Sequence, residues 1–520
     1  MKLLKRYSIL VHRYLGVAFS LLFLLWFLSG IVMMYWDYPR VLPEERLASL
    51  EPLDASKVKI TPAEAYAKSG LTTAPLKIRL ALFEGRPVYR FHGPKRTQYA
   101  VYADTGEPFA VSEQQAQRAA AHFAKLPVEQ ARLTARMNDV DQWTLNKYVR
   151  PLMPYLKYEF GDPADTVVYV SAKTGEIQQR TTFESRFWGT LGAVIHWVYL
   201  TPIRKHTDFW RALIIATSAI GTIMTLLGIV VGLWLYSPSK RYKLRDIGPT
   251  AIPYAGWKRW HTIIGLAFGL VTFTWILSGM FSMNPMAWSP EFGPDDDHQQ
   301  VLAGGPIRLD QFTLPASLHQ AREVELIQFQ GRPYYLAVRT PHDTTLIDSA
   351  GRAPSGIAEP DLRAAAATLI PGHRLTEATL LTEYDAYYID RHHRDRLPIL
   401  RVKYDDPAGT WHYLDPHSGR IAMSYVSTSR LNRWLYHGLH SLDFPLLYKY
   451  RPAWDATVLL LMSGGIALCV TSVWIAAKRL LKGYRDLLRR PIYTKSHGGT
   501  AADAGALAAR AGSLLRRARS

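Results

Sequence analysis

The chain has 520 residues, 48% of them apolar, with 62 Lys and Arg against 43 Asp and Glu and a formal net charge of +19. That apolar share excludes an intrinsically disordered chain, and a single cysteine excludes a disulfide-stapled scaffold. The positive charge is no nucleic-acid footprint in itself, because many of its basic residues flank long apolar runs.

A helix that crosses a bilayer needs about 20 mostly apolar residues. Runs 15–36, 213–236, 263–283 and 456–476 meet this, and none contains a charge. Lys2, Lys5 and Arg6 precede the first run. It is too long for a signal-peptide core and no small-x-small cleavage site follows, so it reads as a retained anchor. Basic residues cluster before the first run, between the second and third (Lys240 to Arg259) and after the fourth (Lys478 to Arg490). The positive-inside rule makes those three segments cytoplasmic, with both termini inside and anionic lipid as their partner. Tryptophans near the run ends, among them Trp36, Trp188, Trp234 and Trp454, fit an aromatic belt.

The chain then divides as follows: N-terminus and first helix, 1–36; outer segment, 37–186; membrane-proximal segment and second helix, 187–236; cytoplasmic loop, 237–259. The third helix is 260–283, the second outer segment 284–430, the membrane-proximal segment and fourth helix 431–477, and the basic tail 478–520.

The halves repeat. At an offset of 249, His12 meets His261, Gly16 meets Gly265, Trp26 meets Trp275, and the Leu-Ser-Gly ends align. At an offset of 244, Asp162-Pro163-Ala164 meets Asp406-Pro407-Ala408, Tyr169 meets Tyr413, His196 meets His440 and Trp210 meets Trp454. Both halves start inside, which reads as a parallel duplication about an axis along the membrane normal. Each outer segment holds two stretches of period-two alternation before Gly-containing turns, such as 86–107, 166–176, 332–352 and 410–420. This predicts four small α+β modules with antiparallel strands, two per half.

The outer modules end in Asp104-Thr105-Gly106-Glu107 and Lys173-Thr174-Gly175-Glu176, and the helices carry His12-Arg13-x-Leu15-Gly16 and Trp434-Leu435-Tyr436-His437-Gly438-Leu439-His440. Over nearly its whole length, short of the tail beyond about 490, this pattern resembles the PepSY-associated transmembrane family of bacterial inner-membrane proteins. The resemblance implies four transmembrane helices with PepSY-like α+β domains in the periplasm, and an association with iron uptake. Some members resemble haem-containing ferric-siderophore reductases, which would release iron by reducing it.

The apolar runs contain no Asp, Glu or Lys, which argues against an ion-coupled transporter. Histidine is what remains. His12 and His261 begin helices rising from the cytoplasm, and His196 and His440 precede helices descending from the periplasm. Bis-histidine ligation of haem iron needs two facing imidazoles, which a pseudo-two-fold pair supplies by symmetry. Two b-type haems are therefore expected, one at each membrane face. No Cys-x-x-Cys-His occurs, so covalent attachment is excluded. His437, one helical turn before His440, is the alternative ligand, although its repeat counterpart is Ala193. Glycines such as Gly16, Gly221, Gly228, Gly265, Gly464 and Gly465 serve close helix packing or leave room for a porphyrin. Trp26 and Trp275 read as packing residues, with a ring stacked near haem as the other reading.

Outside the membrane, His373, His392, His393, His412 and His417 match no tight metal motif. Asp141-x-Trp143 aligns with Asp385-x-Tyr387, either as sheet core or as a cradle for a ferric chelate. Cys469 lies in the fourth run and has no partner cysteine. The favoured reading is an oxidoreductase passing electrons from the cytoplasmic side to a periplasmic acceptor, a ferric siderophore by resemblance. No Gly-x-Gly-x-x-Gly follows a strand, so a separate reductase or membrane quinol must be the donor. Two other classes stand beside it. One is a non-redox protein whose outer modules dock a partner or inhibit a peptidase. The other is a permease for iron or a chelate, which would need a polar path that these helices lack.

Overall fold

The computed structural model describes residues 2–94, 97–146, 149–244, 248–293, 295–315, 318, 321–390 and 394–488. Four helices, Lys2–Met33, Thr207–Leu235, Gly256–Phe281 and Arg451–Leu488, are long and apolar enough to cross a membrane. The shortest has 26 residues and reaches about 39 Å at 1.5 Å per residue, more than the ~30 Å hydrocarbon layer. The first packs on the second and fourth, and the third packs on the same two, closing a four-helix ring. Phe23, Phe27, Met224, Trp275, Ile276 and Cys469 fill its centre. Glycines set the spacing there. A Cβ on Gly221 would fall 2.5 Å from the Phe23 ring, and Gly464 and Gly465 lie directly under Phe268 and Phe27. In lipid such close packing carries helix association, because lipid tails are as apolar as leucine.

The segments between the first and second, and third and fourth, helices form antiparallel sheets. In chain order the strands are β1 (Lys77–Phe83), β2 (Arg86–His92), β3 (Gln98–Tyr102), β4 (Arg132–Met137), β5 (Tyr155–Glu159), β6 (Val167–Ser171) and β7 (Ile177–Thr181). A short hairpin, β8 (Tyr242–Leu244) and β9 (Gly248–Thr250), joins the second and third helices. There follow β10 (Glu323–Phe329), β11 (Arg332–Val338), β12 (Thr344–Asp348), β13 (Leu375–Leu381), β14 (Ile399–Tyr404), β15 (Trp411–Asp415) and β16 (Arg420–Tyr425). The expected two modules per half do not all stand alone. β1 pairs with β10, Ile78 opposite Leu326 and Arg79 opposite Glu325, so the first modules of both halves merge into one sheet ordered β12-β11-β10-β1-β2-β3. The second modules form separate sheets, β4 to β7 and β13 to β16.

Alternation along β1 and β10 explains what each face of the merged sheet meets. Ile78, Leu80, Val324 and Leu326 pack into a core with Leu53, Phe312 and Tyr335. Lys77, Arg79, Glu323 and Glu325 point the other way, where the four-stranded sheets approach. Arg79 pairs with Glu323 at 3.1 Å and with Glu176, on the turn before β7, at 3.0 Å. Arg46 reaches Glu323 at 2.7 Å, while Lys77 and Arg420 pair with Glu325 at 2.8 and 2.6 Å. One buried charge cluster thus joins all three sheets.

Burial alone would raise the Glu176 and Glu325 pKa values. Arg79 and Arg90 beside the first, and Arg420 and Lys77 beside the second, bring each down to about 2 instead. The ordinary value is 4.5, so the unfolded chain binds more protons once the pH drops below it. The cluster's stabilisation is therefore complete above about pH 5 and is lost as the pH falls toward about 2. Thermal unfolding of the full chain in detergent, followed by circular dichroism from neutral pH to about pH 3, should show this decline. Glu325→Gln should start less stable and lose less on acidification; parallel curves for the two proteins would contradict the assignment.

Candidate functional site

The four membrane-level histidines meet in two pairs. His12 on the first helix faces His261 on the third, with ring centroids 6.2 Å apart and planes inclined by 32°. His196 faces His440 with centroids 6.0 Å apart and planes at 65°. His196 and His440 are placed by two similar elbows. In each, a short helix (Phe183–Gly189, Ser427–Arg433) runs into a π-helical turn (Thr190–Val194, Trp434–Gly438) just before the histidine. Such turns are rare and frequent at functional sites. Each elbow is then pinned to the long helix that follows. Trp210 Nε1 donates to the Trp197 carbonyl, and Trp454 Nε1 donates to the Ser441 carbonyl, both at 2.8 Å.

Every one of these rings is held through Nδ1. His12 Nδ1 donates to the Met224 carbonyl at 2.9 Å. His196 Nδ1 lies 3.1 Å from the Trp26 carbonyl and 3.1 Å from Ser29 Oγ. His440 Nδ1 repeats this with the Trp275 carbonyl at 3.2 Å and Ser278 Oγ at 3.1 Å. His261 Nδ1 meets Thr471 Oγ1 at 3.1 Å and Ser472 Oγ at 3.2 Å, and both hydroxyls already donate to the Leu468 carbonyl. A carbonyl, or a hydroxyl whose proton is in use, can only accept. Each Nδ1 therefore carries the proton, and each Nε2 keeps its lone pair. This is how protein architecture prepares an imidazole to ligate a metal.

Each pair lines a cavity. The cavity at His12 and His261 has a volume of about 1200 Å³, and Gly16, Gly228 and Gly265 open onto it. A Cβ on Gly228 would sit 2.6 Å from His12 Cε1, while one on Gly16 would meet nothing within 4 Å. Gly228 thus gives the His12 ring its place, and Gly16 leaves open space, whereas Gly221, Gly464 and Gly465 serve packing. Arg13, Lys258, Lys478 and Arg479 also line this cavity and give it a basic side. The cavity at His196 and His440 is smaller, about 270 Å³, and is walled by Trp26, Trp275, Tyr199 and Met462. Trp26 Nε1 is buried there without a hydrogen-bond partner.

These features fit haem. Metal–imidazole bonds of about 2 Å, laid in line with the ring centres about 1 Å further back, put the centres roughly 6 Å apart. Both pairs have that spacing. The donor set is two neutral imidazoles, the His196–His440 cavity is walled mostly by apolar and aromatic side chains, and Gly16 leaves open space at the His12–His261 cavity.

The other sequence candidates lie elsewhere. His437 does not face His196; its ring meets Tyr436 and Phe292, at 4.4 and 5.3 Å. Asp141 accepts from Tyr169 Oη at 2.7 Å and Asp385 from Tyr413 Oη at 2.9 Å. Both are anchors between loop and sheet, as the sheet-core reading has them. His373 lies 3.7 Å from Asp405, and His417 is 3.1 Å from Asp415. His392 and His393 lie outside the described residues, as does the tail from 489 onward. Sequence reasoning missed Ser29 and Ser278 as ring anchors. The aligned Leu-Ser-Gly ends were the signal for them.

No curated protein matches the chain. The family model described as the PepSY-associated TM region matches residues 9–479. With four membrane-length helices and that match, the chain belongs to the PepSY-associated transmembrane family and is a multi-pass membrane protein.

Proposed function

We propose that the protein is a haem-containing inner-membrane reductase that passes electrons from the cytoplasmic side to a periplasmic acceptor, a ferric siderophore or related chelate. The carrying observation is the two histidine pairs, at 6.2 and 6.0 Å, with every Nδ1 anchored. In this reading His12 with His261, and His196 with His440, would each hold one b-type haem through Nε2. When bound, haem would supply reversible one-electron transfer. The hydrogen bonds from Nδ1 fix each ring's tautomer and orientation. Trp26, Trp275 and Tyr199 keep water from the His196–His440 pair. Arg13, Lys258, Lys478 and Arg479 hold acidic groups at the His12–His261 end.

The two halves are read as a parallel duplication, with the termini and the β8–β9 hairpin cytoplasmic and the three sheets in the periplasm. A membrane quinol or a separate cytoplasmic reductase is the electron donor.

Absorption spectra of the purified protein, oxidised and dithionite-reduced, test this. Sharp low-spin b-type bands at about two haems per chain are expected. A colourless protein from haem-replete cells would overturn the reading and leave a non-redox docking role for the sheet domains.

A further inference from the structure

We infer that Asp295, His298 and His412 form a binding site for a divalent first-row transition metal, separate from the membrane histidines. One ligand atom from each of the three lies within 4.8 Å of the others. The His298 and His412 rings stand 4.9 Å apart at 62°.

The site is assembled by strand register. His412 on β15 lies opposite Ser424 on β16. Gly293 bridges to Ser424 in turn, with Ser424 N donating to the Gly293 carbonyl at 2.8 Å and Gly293 N to the Ser424 carbonyl at 3.4 Å. That bridge brings the segment after the third long helix over His412. The helix Asp296–Leu302 then starts at Asp295, which caps it by accepting His298 N at 3.0 Å. Gln299 Oε1 accepts Ile421 N at 2.8 Å and fixes the helix on β16.

The chemistry within this frame is that of a metal site. His412 is fully buried, and its Nδ1 is tied to Ser424 Oγ at 2.7 Å. Its Nε2 is buried with no hydrogen-bond partner. A buried unpartnered nitrogen is costly and calls for a ligand. His298 Nδ1 and Asp295 Oδ2 lie 2.8 Å apart, close enough to be two ligands of one ion, so a bound metal would take the place of the proton they share. Two imidazoles and a carboxylate suit Zn²⁺ or Cu²⁺ over Mg²⁺ or Ca²⁺, and three protein ligands leave a position for water or an added ligand. Phe292, three residues before Asp295, stacks on Tyr425 and meets His437 at 5.3 Å. A bound metal would therefore pin the stretch that links the third helix, the second four-stranded sheet and the elbow bearing His440.

The test uses full-length protein in detergent, stripped with EDTA, titrated with Zn²⁺ against a chromophoric chelator, with retained zinc counted by mass spectrometry. It needs no haem and so is independent of the proposed reductase activity. Wild type should hold one tight Zn²⁺ per chain. His298→Ala, at a half-exposed position, and His412→Gln should each weaken binding at least about 100-fold, and Ser424→Ala about 10-fold. Unchanged circular dichroism would show that the variants fold. Zinc binding equal in wild type and His298→Ala, or no tight zinc in wild type, would overturn the site.

Discussion

Replacing His261 with alanine is expected to lower the haem content from about two to about one per chain, or to turn one haem from low-spin to high-spin. His12→Ala should do the same, and the two should not add, because both residues serve one pair at 6.2 Å. His196→Ala and His440→Ala should remove the other haem, again without adding to each other. His261→Ala combined with His440→Ala should leave essentially none. His437→Ala separates the two candidate ligands on the fourth-helix elbow. Its ring packs on Tyr436 and Phe292, so haem content and spin state should not change. The anchoring groups should show smaller effects. Ser29→Ala leaves the Trp26 carbonyl in place for His196, so the haem should bind about 10-fold more weakly at most. Haem content and low-spin spectra unaltered in all four single histidine variants would remove the basis for the reductase reading.

Arg79→Met is expected to be the most damaging single change in the sheet domains. It leaves Glu176 and Glu323 buried with one partner fewer, and breaking such a pair typically costs about 3–5 kcal/mol. For a unit of this size that corresponds to a fall in Tm of about 10 °C. The exposed pair Arg136–Glu113, with side chains 65% and 47% accessible, is the control. Arg136→Ala should change stability by less than about 1 kcal/mol. Scanning calorimetry on the full chain reads both. Equal shifts for the two variants would show that the cluster joining the sheets contributes little. Because the cluster lies between sheets, away from the bundle, haem content should survive Arg79→Met.

Much of this molecule is written locally in the sequence. Runs of twenty uncharged apolar residues determine membrane-length helices wherever they fall, since a single segment satisfies its own backbone in lipid only as a helix. Period-two alternation before Gly turns determines antiparallel strands. The matched positions of His12 and His261, and of His196 and His440, mark which side chains to watch, because helices stripped of other ionisable groups have little else with which to do chemistry. Pairing was different. That β1 would join β10, 246 residues away, depends on which faces of two separate modules are complementary, here Arg79 opposite Glu325, and no local pattern encodes that. The same holds for the choice of His440 over His437. They share one helical face, and only the π-helical turn and the Trp275 and Ser278 anchors turn His440 toward His196. Asp295 and His298 lie more than 100 residues before His412 in the chain. They meet His412 because strand register and the Gly293–Ser424 bridge bring distant chain segments together. Local periodicity decided the elements and the sequence repeat named the histidines. Contacts between residues far apart in the chain decided the sheets, the tautomers and the sites.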